Sequence, residues 1–278
     1  MLSHIIHLTR LNKPIGILLL LWPTLTALWL ASGGVPSVKL LFIFTLGTVL
    51  MRSAGCIVND LADRHFDGSV ERTKTRPLVQ QTVSVQAALI LVGLLSAAAF
   101  TLVLFCNALT IYLAIAGASW TILYPFTKRW MALPQAILGI AFAWGIPMAF
   151  AAVNQQVPRA AWFLFGTYLL WPLIYDTQYA MVDREDDKRI GIQSSAILFG
   201  QYDRWWIAGL QGLFLGLSVA VGRLFHLPRI YTAALILCTL LFFYQQWLIK
   251  DRDRKQCFKA FLNNQWVGLI LFLGVALA

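Results

Sequence analysis

The chain has 278 residues, 59% of them hydrophobic and only 12% charged, with a formal net charge of +10 at pH 7. A soluble domain carries about 25% charged residues, so this composition, with a mean hydropathy of +0.70, excludes a soluble domain with one anchor and describes a multi-span membrane protein. The positive balance follows from membrane topology and anionic lipid and does not argue for nucleic acid.

In chain order, a short N-terminal segment carrying His4, His7, Arg10 and Lys13 reads as interfacial rather than as a metal site. Apolar runs of about 20 residues then predict nine transmembrane helices in an all-α chain. They cover roughly 15–35, 38–58, 84–106, 108–125, 133–153, 159–181, 205–225, 229–249 and 258–277. The first run is too long, and too interrupted by Pro23, for a cleaved signal peptide. Of 22 Lys and Arg residues, only Lys39, Arg159, Arg223 and Arg229 fall on one side; the positive-inside rule places the N-terminus in the cytoplasm and, after nine spans, the C-terminus outside. The four cysteines lack metal-ligand spacing and read as small buried hydrophobes. Gly212 and Gly216, at GxxxG spacing, predict close helix packing within the bundle.

All twelve Asp and Glu residues also fall on the cytoplasmic side, nine of them in two clusters. The first, in "VNDLADRHFDGSVERTKTRPL" (58–78), ends the second helix. Asn59, Asp63 and Asp67 stand at i, i+4 and i+8, one face if the helix continues through them. The second, "YDTQYAMVDREDDKRIG" (175–191), ends the sixth helix, with Asp183 and Asp187 again four apart and Asp176 two turns earlier. Helix C-termini disfavour negative charge, so acids there call for a compensating cation. Oxygen donors in this number suit Mg²⁺, which takes one or two carboxylates and completes its shell with water and phosphate. Arg64, Arg72, Lys74 and Arg76 in the first cluster, and Tyr124, Lys128 and Arg129 in "LYPFTKRW", supply groups that can face a phosphate. Arg52, seven residues before Asn59, sits on the same face about 10 Å deeper. An intramembrane arginine is a candidate functional group, here for the carboxylate of a second substrate, with Arg10 and Lys13 as rival anchors. Clusters four helices apart predict two four-helix pseudo-repeats, about 15–125 and 133–249, plus a ninth helix, within one domain of residues 1–278.

"NDLADRHFD" resembles the NDxxDxxxD signature of the intramembrane aromatic prenyltransferases, "DREDD" (183–187) their second DxxxD motif and "YPFTK" (124–128) their YxxxK. The resemblance extends through "VERTKTRPL" and "GIQSSAILFG" and is closest to the 4-hydroxybenzoate polyprenyltransferases of ubiquinone biosynthesis. It implies nine helices around a central cavity that opens laterally to a lipid tail. It implies two Mg²⁺ ions, one on Asn59, Asp63 and Asp67 and one on Asp183 and Asp187. Diphosphate would meet Arg64, Lys128 and Arg129, and the four aspartates and Arg129 would carry catalysis. A polyprenyl diphosphate would alkylate 4-hydroxybenzoate ortho to its hydroxyl in a bacterial inner membrane. Another aromatic acceptor is the alternative within the class; a transporter is the alternative outside it.

Overall fold

In hydrocarbon, backbone N–H and C=O groups must be satisfied within the segment that carries them, which selects helices or closed barrels. The computed structural model describes residues 2–65, 67–69, 71–127, 129–131, 133–191 and 193–278, and among these no strand forms. The helices are α1 (Leu2–Leu8), α2 (Ile15–Ser32), α3 (Val38–Asp63), α4 (Val85–Val103), α5 (Ala108–Thr127), α6 (Gln135–Ala143), α7 (Gly145–Asn154), α8 (Arg159–Ile190), α9 (Ser195–Phe199), α10 (Asp203–Leu224), α11 (Arg229–Leu248) and α12 (Arg254–Ala276). Among the described residues, eight spans are long and apolar enough to cross a bilayer, with α6–α7 and α9–α10 each counting as one. α8 has the length, but Asp176, Thr177 and Gln178 dilute its apolar character. It packs against α6, α10 and α12. With α8 included, every one of the nine expected runs is helical, and the chain is an all-α, multi-pass membrane protein.

Local signals set the helix ends. Ser37, Ser84 and Asp253 accept hydrogen bonds from the backbone N–H three residues on, the expected N-cap geometry. Gly191 closes α8 at φ +74°, a left-handed conformation that favours glycine. Two boundaries differ from the sequence reading. The second span runs to Asp63 and the sixth to Ile190, because polar residues continue a helix once it leaves lipid. The fifth is broken at Trp144, between α6 and α7, where the Gly-x-Pro step from Gly145 to Pro147 reads as a kink.

The core is aromatic on the α8 side. Trp171 meets Tyr168 and Tyr175 edge-on at 6.0 and 5.6 Å and stacks with Phe214. Gly268 lets α12 approach: an added methyl would collide with Trp22 and Trp171. Beside it lies a chain of buried amides. Gln178 donates to Gln245 at 2.9 Å and accepts from Asn264 at 2.8 Å, while Gln211 donates to Gln245 at 3.0 Å. These bonds tie α8, α10, α11 and α12 where water does not compete. Gly212 and Gly216 do not serve helix packing within this chain, since a methyl at either would meet nothing within 4 Å; the other reading of GxxxG spacing, a face toward a second copy, is untouched by this.

Candidate active site

A cavity of about 1320 Å³ runs between α2, α3, α4, α5, α6 and α8, with the start of α12 at its rim. Both acidic clusters open onto its polar end: Asn59, Asp63, Asp67, Asp183 and Asp187 all line it. Asn59 Nδ2 donates to Asp63 Oδ2 at 3.1 Å, the contact expected from i, i+4 spacing on α3. Asp67 is not on that helix. α3 ends at Asp63, and Asp67 opens a 3-10 turn, Asp67–Ser69. The loop, not helical periodicity, brings Asp67 back to the cavity. Thr73 Oγ1 donates to its carbonyl at 2.7 Å, and Arg76 donates to its carboxylate. Burial pushes the Asp67 carboxyl above its ordinary range; Arg76 opposes that shift, and Asp63 and Asp60 reinforce it.

Arg72 joins the two clusters. Its Nε reaches both oxygens of Asp183 at 3.1 and 3.0 Å, and its guanidinium lies over the Tyr179 ring at 4.5 Å. A residue of the first motif's loop thus holds the first acid of the second motif, 111 positions away in sequence. Asp187 comes one turn later on α8, while Asp186 is turned to Arg254 at 3.1 Å and Glu185 to Lys188 at the surface.

The other expected cations divide into two groups. Arg52 and Lys13 line the cavity, and so does Arg10, whose Nη2 is engaged with both oxygens of buried Asp60 at 2.9 Å. Tyr124 also lines it. Arg64, Lys74 and Arg129 do not. Arg64 and Arg129 donate to the carbonyls of Leu61 and Ala62, the last turn of α3, where cations complete a helix C-terminus. Lys74 pairs with Glu71 at the surface, at 2.7 Å. In this structure Arg64 and Arg129 finish the end of α3 and Lys74 faces solvent beside the cavity. Lys128 lies outside the described residues.

Sequence reasoning missed four members of the wall. Asp60 is nearly fully buried and bridges Arg10 to Arg76, the latter at 3.1 Å. Its signal was hidden by its place beside Asn59, off the motif face. Arg254 and Lys255 reach the rim from the start of α12, where the basic run had been read only as topology. Tyr179 is placed by the i, i+4 step from Tyr175 on α8. Deeper in, Arg52 Nη1 lies 2.8 Å from Cys56 Sγ. Arg52 Nε, Gln135 Oε1 and Tyr175 Oη are buried without a hydrogen-bond partner, and all three residues line the cavity. Unsatisfied buried polar atoms gathered in one cavity mark a place for a polar ligand.

Among the described residues no three carboxylate, imidazole or thiol side chains converge on one point. Mg²⁺ brought in with a phosphate needs only one or two carboxylates from the protein. The oxygen donors present fit that requirement.

The family model described as the UbiA prenyltransferase family matches residues 20–273. The chain belongs to this family. A 4-hydroxybenzoate octaprenyltransferase of Hahella chejuensis is 57% identical over 98% of this chain and 91% of its own length. Among solved structures, the apo UbiA homolog from Aeropyrum pernix K1 superposes with a TM-score of 0.82 at 24% identity, covering 94% of this chain and 97% of that one. A UbiA homolog from Archaeoglobus fulgidus bound to GPP and Mg²⁺ gives 0.72 at 16% identity, covering 99% and 100%. At these identities the UbiA structures speak for the fold, a helical bundle around an intramembrane cavity.

Proposed function

We propose that this protein transfers a polyprenyl group from polyprenyl diphosphate to the carbon ortho to the hydroxyl of 4-hydroxybenzoate, releasing diphosphate, in ubiquinone biosynthesis. The observation that carries this reading is the joining of the two oxygen-rich motifs by Arg72 at the polar mouth of an apolar cavity. The full-length relative that carries the octaprenyltransferase name supports it.

Asn59 and Asp63, with Asp67, would hold one Mg²⁺, and Asp183 and Asp187 a second. Bound there, the ions would stabilise negative charge on the departing diphosphate. Arg72, Arg76, Arg254 and Lys255 line the same cavity and would supply positive charge to the leaving group. The donor's C–O bond breaks with its electron pair going to diphosphate. The allylic cation left behind faces the rings of Tyr124, Tyr175 and Tyr179, which line the wall and offer negative π-faces. Apolar lining excludes the water that would quench it. Arg52, with its unsatisfied Nε, holds the acceptor's carboxylate, and the Tyr175 hydroxyl, which lines the same cavity, is a second donor for it. The ring carbon bonds to the cation and then loses its proton. The polar mouth and the N-terminus face the cytoplasm of a bacterial inner membrane, and the C-terminus faces the periplasm.

The test uses membranes containing the protein, geranyl diphosphate, radiolabelled 4-hydroxybenzoate and Mg²⁺. Label should pass into a lipid-extractable product, and that passage should stop with EDTA and in Asp63→Ala and Asp183→Ala. Diphosphate release only with a different aromatic acceptor would overturn the named substrate. Absence of metal-dependent release with every acceptor would overturn prenyl transfer.

A further inference from the structure

The cavity extends well beyond the acids and arginines. Its wall follows α5 from Tyr124 to Thr110, about 21 Å at the helical rise, and continues to Cys106. A donor held by its diphosphate at the polar mouth therefore has its tail measured along this wall. Partway down stands Trp144, at the break between α6 and α7.

Trp144 is pinned from two sides. Its Nε1 donates to the Leu113 carbonyl of α5 at 2.7 Å. Phe165 meets its ring edge-on at 5.8 Å from behind. The ring rests where Gly117 has no side chain: a methyl there would stand 2.5 Å from Cδ1 and 3.1 Å from Nε1. Gly117 is helical with ordinary φ, so the need is for space and not for backbone freedom. Both residues line the cavity, and past them Ala114, Thr110, Met148 and Phe44 line it still. With the indole seated on Gly117, cavity wall continues on the far side. Any side chain at 117 would break the Leu113 bond and push the indole off α5.

We propose that Trp144 seated on Gly117 is the gauge of donor length, leaving open the passage through which the distal part of a long prenyl tail runs. The proposal rests on the prenyl-donor reading above. A short donor ends on the polar side of the gauge and is indifferent to it; a long one must pass it.

The experiment compares kcat/KM for geranyl and octaprenyl diphosphate, with 4-hydroxybenzoate as acceptor, in the full-length protein and its variants. Gly117→Ala should lower the octaprenyl-to-geranyl ratio on the order of tenfold, the scale set by one methyl group in an apolar pocket. Adding Trp144→Leu to Gly117→Ala should restore the ratio by removing the displaced ring. A folding defect lowers both donors in proportion, so an unchanged ratio in Gly117→Ala, whatever the absolute activity, overturns the proposal. A ratio that falls and is not restored in the double variant also overturns it. Failure of the unaltered protein to use either donor overturns the prenyl-donor reading and the gauge together, and is seen before any variant is compared.

Discussion

Arg52 owes its position to a residue that offers no side chain. A methyl added at Gly16 would stand 2.5 Å from both Nε and Nη2 of Arg52, so α2 leaves the guanidinium its room inside the cavity. Gly16→Ala should displace that group by about an ångström, a misplacement that can cost up to about a hundredfold where positioning matters. The expected readout is a raised KM for 4-hydroxybenzoate with the KM for the donor unchanged; steady-state kinetics with each substrate varied in turn checks it. Arg72 is the complementary case at the mouth. Arg72→Met removes the partner of Asp183 and one cation beside the diphosphate. It should raise the donor KM on the order of tenfold, the scale of one charge-assisted contact, while the acceptor KM holds. Such roles are hard to read from sequence. Arg72 and Arg64 look alike in the "DRHFDGSVERTKTR" run, yet one crosses to α8 and the other completes its own helix, a choice made by where the loop folds back. Asp63, Asp183 and Asp187 were legible because helical spacing alone places them.

At the scale of elements, the buried amides of α8, α10, α11 and α12 act as a rotational lock. Gln178 points away from the cavity while Tyr175, Asp176, Tyr179 and Asp183 of the same helix point into it, so holding Gln178 aims the others. Gln245 is the hub, accepting from Gln178 and Gln211 and donating to Asn263 at 2.9 Å. Gln245→Leu leaves these partners unsatisfied and should destabilise the protein by about 1–3 kcal/mol, measured as a lowered midpoint of unfolding in detergent. Helix number and order were legible because lipid forces the backbone to pair within each segment. The break at Trp144 was legible as a kink from the Gly-x-Pro step of Gly145 to Pro147, whereas the end of α3 at Asp63, short of Asp67, was not, since it depends on how the following loop folds back. The GxxxG pattern on α10 misled about packing within the chain: small residues permit an approach but do not bring a neighbour.

The whole molecule is asymmetric across the bilayer, with its acids and most of its cations at one end and an apolar cavity behind them. From the charge distribution we propose that this end faces the cytoplasm. In intact cells a membrane-impermeant thiol reagent should label Val35→Cys and leave Lys74→Cys untouched, each in a Cys106→Ser background, and in inverted vesicles the pattern should reverse. Val35 and Lys74 are exposed at the two ends of α3 and its following loop, so accessibility is decided by side and not by burial. The pairing of the acidic motifs across one mouth is consistent with two facing four-helix halves, which we propose as the ancestral organisation of the chain.

α8 carries the second motif, and its apolar run ends in a polar stretch that lipid alone would not satisfy. Gln178, in that stretch, is held by Gln245 of α11 and Asn264 of α12, both of which follow it in the chain. On a ribosome the order is reversed: α8 emerges before the helices that hold Gln178. The bonds that aim the second motif are therefore complete only once the end of the chain is in place.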